Sequence, residues 1–314
     1  GSAVSGRLAE AGKSVCLLEA GPRNDTVLIK TPGLMPFLRA GSNYRFETVP
    51  QKGLNGRTGY QPRGRGLGGS SAINAMIYIR GNHWDYDQWA ELGCTGWSHD
   101  DVLPYFKRAE SFEDRKDDYH GDDGPWKIRT SDTDDPIIDA FFEAVESAGY
   151  ENTADYNGAS QDGFARLQVN AVNGRRQSAA VAYLRPAMKR PNVDVQVRAH
   201  VTRVIFDGTR ATGIEYVQDG KTHRVGAGKE VILSGGSINS PQVLMLSGVG
   251  SAAHLKDMGI DVRHDLAGVD GDGGVTQESL RLAAHDRCPG CCRGNASFQV
   301  AIGGHRPDAP PWQP

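Results

Sequence analysis

The residues best suited to chemistry lie at positions 64–77, where Gly64, Gly66, Gly68 and Gly69 surround the hydroxyl pair Ser70 and Ser71. Asn74 and the apolar Ala75, Met76 and Ile77 follow. A backbone without Cβ atoms can approach a large planar or phosphorylated ligand closely, and Ser70, Ser71 and Asn74 add short hydrogen-bonding groups. Such a tract also reads as a plain turn. Its weight comes from two further segments that suit the same ligand.

The first runs from Gly1 to Glu19. Small and apolar residues recur at helical spacing up to Gly12, a glycine suited to closing the helix, and Val15, Cys16, Leu17 and Leu18 form a buried strand ending on the acid Glu19. In a dinucleotide-binding βαβ unit the last glycine of G-x-G-x-x-G opens the helix, and an acid about 20 residues on binds the ribose hydroxyls. Gly1 and Glu19 fit those places, while the first strand and earlier glycines are missing, so the sequence reads as clipped at its N-terminus. The second segment places the strand Val231, Ile232, Leu233 before Gly235 and Gly236, with Ser240 as the expected N-cap of a helix and Pro241 in its first turn. Strand ends carrying such turns are where open α/β sheets bind ligands, helix N-termini favouring negative charge.

The chain has 314 residues, 38% of them hydrophobic, and a net charge of −3. No run reaches the roughly 20 apolar residues of a membrane span, and the balance of charge gives no global field for nucleic acid. Cys16 and Cys94 alone fall in the patterned part, which argues against a disulfide framework and leads us to expect a cytoplasmic protein. Residues 100–110 read as a helix. The charged run 113–123 reads as a solvated loop, and the helical stripe at 136–145 as core. Residues 193–197, 201–206 and 211–217 alternate in period two and suggest an antiparallel meander. Residues 270–314 are unpatterned and read as disordered; Cys288, Cys291, Cys292 and His285 there match no standard zinc spacing, so no metal site is expected.

The tract at 64–77 and the stretch 236–250 resemble the two signatures of the glucose-methanol-choline (GMC) oxidoreductases, FAD-dependent enzymes that include choline dehydrogenase and alcohol oxidases. Phrases between them are similar too, among them Arg80-Gly81, Asp85-Tyr86-Asp87-Gln88-Trp89 and Gly121-Asp122-Asp123-Gly124-Pro125, and the likeness extends to residue 269. The resemblance implies an α/β fold, a FAD-binding Rossmann-like domain with an interleaved, incomplete α+β substrate domain. Its expected parts are 1–130 for the first part of the FAD domain, 131–190 for the start of the substrate domain and 191–269 for the return. It implies hydride transfer from an alcohol carbon to flavin N5. It assigns FAD contacts to Gly1, Glu19, Ala20, Gly66, Leu67, Gly68, Gly69, Ser70, Asn74, Ala75, Met76, Ile77, Val201 and Gly235. Members that tether FAD do so through a histidine just before the asparagine of the tract; Ile73 stands there, which implies non-covalent FAD. The family's catalytic histidine pair has no counterpart, because Asp270-Gly271-Asp272-Gly273-Gly274 replaces the expected continuation. The implied partner is a small-molecule alcohol, and the alternative is a FAD-binding fragment that catalyses nothing.

Overall fold

Helix Ser2–Glu10 forms where the spacing of small and apolar residues predicts it, and it ends in a paired stop. With Gly12 at φ +74°, the amide of Gly12 donates to Ala9 O (3.1 Å) and that of Lys13 to Leu8 O (2.9 Å), satisfying two terminal carbonyls. The chain then enters the strand Val15–Glu19, buried at every residue. The structure is a computed structural model that describes residues 1–38, 40–269 and 299–303.

Val15–Glu19 lies inside a four-stranded sheet whose order is Glu230–Leu233, Gln299–Gly303, Val15–Glu19, Val193–Val197. It pairs in parallel with Val193–Val197 and antiparallel with Gln299–Gly303, the latter being antiparallel to Glu230–Leu233 as well. Its two faces feed two apolar clusters. Leu17 packs with Leu67, Ala180 and Leu184, whereas Cys16 and Leu18 pack with Ala199, Val201, Val204, Ile214 and Val243. Full burial of each such aliphatic side chain contributes about 1.5–3 kcal/mol, so this strand is the fixed reference of its unit.

The described residues pack as two units. One comprises Gly1–Thr26, Pro36–Ile73 and the described residues from Ala179 on; the other comprises Val27–Met35 and Asn74–Ser178. The divisions fall at 26/27, 35/36, 73/74 and 178/179. In the second unit Trp126–Thr130 joins Glu110–Phe112 in parallel and Gln168–Val169 antiparallel, binding these strands into one body. Helices His83–Glu91 and His99–Ala109 belong to that body, each opened by a reciprocal cap, Asn82 with Asp85 and Ser98 with Asp101.

Several elements differ from expectation. The meander consists of His200–Asp207, Arg210–Gln218 and Lys221–Gly226. Val193–Val197 leaves it for the main sheet because Arg198, at φ +57°, breaks the extended run. The amides of Arg198 and Ala199 then bond to Gly21 O and Glu19 O. The helix following Leu233 spans Gly236–Leu246 and so starts four residues before Ser240, whose hydroxyl accepts from the Gly235 amide (2.9 Å) instead of capping. Helix Pro136–Ser147 forms with Asp135 as its cap, but its stripe is not core: Ile137 is 71% and Phe141 51% exposed, and Val145 is its buried residue. Phe141 on that face meets the Phe164 ring edge-on, 5.8 Å between centroids. Within the run 113–123, read as solvated, His120 is fully buried. Of the stretch 270–314, Gln299–Gly303 is a strand, its alternating Val300 and Ile302 being a short period-two signal; the rest, with Cys288, Cys291, Cys292, His285 and His305, lies outside the described residues.

Candidate functional site

In the first unit the site is built on Glu19. Its carboxylate, 3% exposed at the end of the buried strand, accepts through Oε1 from the amides of Gly21 (2.7 Å) and Gly66 (2.9 Å). Arg65 reaches back to Ala20 O (3.3 Å), and the Leu67 amide donates to Pro22 O (3.1 Å). Asn24 ties the same loop through Arg65 O (3.1 Å). The strand end and the glycine tract are thus one structure. Gly66 sits at φ +120°, and a Cβ there would meet Asn24 Nδ2 at 2.3 Å and Pro22 O at 2.6 Å, so its glycine is demanded by the protein.

Gly69 is different. Its φ is +54°, yet an added Cβ would meet nothing within 4 Å. The tract turns through Gly69–Ala72, held by the Gly64 amide on Ser70 Oγ (3.0 Å), and presents open backbone at Gly69. Gly1 caps helix Ser2–Glu10, where the buried hydroxyls of Ser2 and Ser5 have no hydrogen-bond partner. Helix-start amides and orphaned hydroxyls together suit an anionic, hydroxyl-accepting group. Val201 is buried in the core and pairs with Tyr216 beside a register shift, so its side chain has the packing role and its backbone the irregular one. Gly235 caps Gly236–Leu246.

Sequence reasoning missed three neighbours of Glu19. The Arg65 guanidinium lies 5.9 Å over the ring of Tyr44, whose hydroxyl burial and the Glu19 charge push up. Burial, with Arg65 nearby, pushes His200 down to about 4, leaving it neutral at neutral pH. These residues are scattered through the sequence with no shared spacing; only Arg65, inside the tract, carried a local signal.

The second unit holds Asn74, Ala75, Met76 and Ile77. Met76 is buried at φ +64°, a left-handed conformation that a non-glycine residue takes at a cost of roughly 1–2 kcal/mol. Such strain persists only where the surroundings over-determine it, and it concentrates at functional sites. Here Asn74 Oδ1 accepts from the Met76 amide (3.2 Å), and Arg176 Nη1 donates to Asn74 O (2.6 Å) and Oδ1 (2.9 Å). The Asn170 amide holds Met76 O (2.9 Å), and Ile77 bridges Val169.

Behind this segment lies a buried ionic network that the sequence did not announce. His120 contacts Glu110 Oε1 through Nδ1 (3.0 Å) and Asp155 Oδ2 through Nε2 (2.9 Å), while Arg80 Nη2 donates to Glu110 Oε1 (2.7 Å). Burial opposes the charge on His120, but the hydrogen bonds to Asp155 and Glu110 outweigh it and hold its pKa up at about 9. For Asp155 burial is likewise outweighed, by bonds from His120, Gln168 and the Asn157 amide, and its pKa falls to about 2. Asp117, His120 and Asp155 place ligand-type atoms within 4.8 Å of one another, the spacing of a metal site. An imidazolium donating from both nitrogens has no lone pair to offer, so the group reads as a charge network.

The profile of the GMC oxidoreductases matches residues 7–273. The chain belongs to the GMC oxidoreductase family. It is 45% identical over 272 residues to the oxygen-dependent choline dehydrogenase of Sinorhizobium medicae, covering 86% of this chain and 49% of that protein. It is 44% identical over 300 residues to the mitochondrial choline dehydrogenase of Homo sapiens, covering 92% and 50%. Among solved structures, pyridoxine 4-oxidase from Mesorbium loti superposes with a TM-score of 0.80 at 31% identity, over 84% of this chain and 53% of that one. A FAD-dependent oxidoreductase from Chaetomium thermophilum gives 0.79 at 30%, over 85% and 50%. The chain thus spans about half the length of the relatives it matches, and its α/β architecture is that of the FAD-binding part of GMC oxidoreductases.

Proposed function

We propose that this chain is the flavin-holding portion of a FAD-dependent oxidoreductase that acts on the CH-OH group of a small alcohol, choline being the alcohol named in its relatives. The observation that carries the reading is the open backbone at Gly69, on a loop fixed to the buried acid Glu19. FAD, when bound, supplies the hydride acceptor. The residues of this chain do the holding. The start of helix Ser2–Glu10, with Gly1, Ser2 and Ser5, takes the pyrophosphate. Glu19 takes the ribose, as the buried acid at the strand end that the glycine tract folds against. Ala20 and the Val201 backbone border the adenine end; Gly66, Leu67, Gly68, Gly69 and Ser70 give a close backbone surface, and Gly235 opens a further helix toward the ligand. In the second unit Asn74, Ala75, Met76 and Ile77 carry the flavin ring.

FAD is held without a covalent bond, because Ile73 offers no nucleophile at the tethering position. We assign no general base. Among the described histidines, His120 is locked between carboxylates and His200 is buried beside Arg65. The second reading, a FAD-binding fragment with no catalysis of its own, rests on that observation. For its setting the reading is the cytoplasm, on the scarcity of cysteines in the patterned part of the sequence; among the described residues no helix is long and apolar enough to cross a membrane. Titration of the purified chain with FAD tests the holding role. Anaerobic addition of choline and of simple primary alcohols to the loaded chain then separates the two readings, flavin bleaching favouring the enzyme and an unchanged spectrum the fragment.

A further inference from the structure

We propose that His120 is a positioning residue for the flavin-facing segment, fixing through Asp155, Gln168 and Asn157 the backbone of Tyr78 and Arg80, into which Met76 and Ile77 run. This rests on the functional reading above, which places that segment against the flavin.

The connection can be followed bond by bond. Asp155, bonded to His120 through Oδ2, accepts through Oδ1 from Gln168 Nε2 (2.7 Å) and from the Asn157 amide (3.0 Å). Gln168 Oε1 accepts from Asn157 Nδ2 (2.6 Å), and Gln168 O accepts from the Tyr78 amide (2.8 Å). Tyr78 O receives the Tyr156 hydroxyl (3.0 Å) and Asn157 Nδ2 (3.1 Å), and Asn157 Oδ1 receives the Arg80 amide (2.8 Å). On its other side His120 meets Glu110, which takes Arg80 Nη2 and the Gly121 amide (3.1 Å) on the same oxygen. Arg80 itself lies four residues after Met76 in the same segment. Tyr78 and Arg80, which continue the chain from Ile77, are therefore gripped by groups that converge on one imidazole.

The charges require His120 to be cationic. Arg80 and His120 oppose Glu110 and Asp155, two against two, with the Tyr78 hydroxyl beside Glu110 and Arg80 and the Phe112 ring edge-on at 4.6 Å. Asp117 Oδ1 accepts the His120 amide (2.9 Å), and Lys107 holds the carbonyls of Asp117 and Asp118 at the exposed side of the loop. Loss of the imidazolium proton turns a nitrogen lone pair toward a carboxylate and leaves a buried acceptor unpaired, which breaks either the Glu110 or the Asp155 link. Tyr78 and Arg80, which anchor the end of the segment that starts at the strained Met76, then lose part of what holds them. A purely architectural His120 would stabilise the second unit and leave the ligand site as it was.

The test is FAD affinity, read by quenching of flavin fluorescence, for the unsubstituted chain, His120→Gln and Asp155→Asn between about pH 7 and pH 10, with near-ultraviolet circular dichroism as the check on folding. The expected result is affinity for the unsubstituted chain that holds to about pH 8 and then falls about tenfold as His120 loses its proton. His120→Gln, folded, binds about tenfold more weakly already at about pH 7 and lacks that fall; the ligand's own titration is common to both and cancels. Asp155→Asn lies on the same side. A folded His120→Gln with unchanged affinity and pH profile overturns the proposal, even if its melting point drops. Should that variant fail to fold, a folded Asp155→Asn that binds like the unsubstituted chain overturns it equally. No FAD binding by the unsubstituted chain at any pH removes the functional reading, and the positioning role with it.

Discussion

Glu19 serves two tasks with one carboxylate, and its substitutions should separate them. Glu19→Ala leaves the buried amides of Gly21 and Gly66 unpaired and removes charge-assisted bonds of about 1.5–3 kcal/mol, so FAD affinity should fall tenfold or more and the melting temperature should drop as well. Unchanged affinity in a flavin titration would show that the ribose binds elsewhere. Two glycines of the tract should part company. Gly66→Ala drives a Cβ against Asn24 and Pro22, and it should lower the melting temperature with or without ligand. Gly69→Val meets no protein atom; it should leave the helix signal in circular dichroism nearly unchanged, at a backbone cost of about 1–2 kcal/mol, and abolish flavin binding. Glu19 and the glycines were legible in the sequence because type and spacing carry their meaning. Tyr44 and His200 were not, because their convergence on Arg65 depends on tertiary folding.

At the scale of elements, the segment from Met76 to Arg80 depends on the ionic network behind it, and pH should expose this. The folded-state pKa of His120, about 9, stands above its ordinary value near 6.5, so its contribution is fully present below about pH 6.5 and is lost as pH rises through about 9. That of Asp155, about 2, is depressed, so its contribution is present above about pH 4 and lost as pH falls through about 2. Urea denaturation at a series of pH values should therefore show a plateau between about pH 4 and pH 6.5 and a decline above it that His120→Gln lacks; identical alkaline profiles would count against a charged His120. The helices and strands near the site were largely readable. Ser240 misled because its hydroxyl turns back on Gly235, and residues 193–197 misled because alternation does not say which sheet a strand joins. The exposed Ile137 and Phe141 show the same limit: a helical stripe announces an apolar face without naming what covers it.

For the molecule as a whole, family membership and the matched length set the expectation. On the second reading, a flavin-holding piece without a general base of its own, the chain should hold flavin and reduce it poorly. A positioned base contributes about 10²–10⁴-fold to proton removal, so anaerobic mixing with choline should bleach the flavin at least a hundredfold more slowly than in a full-length relative. Comparable rates would mean that a base has been overlooked. The family was legible because two long motifs stood in order, whereas pairings such as Trp126–Thr130 with Gln168–Val169 carry no local signal. The central claim is that FAD lies on the loop that Glu19 holds. It is tested most directly by equilibrium titration of the purified chain with FAD, read by fluorescence quenching, in parallel with Gly69→Val. The account predicts saturable binding of one FAD per chain and none to the variant; no binding to the unsubstituted chain, or equal binding to both, would contradict it.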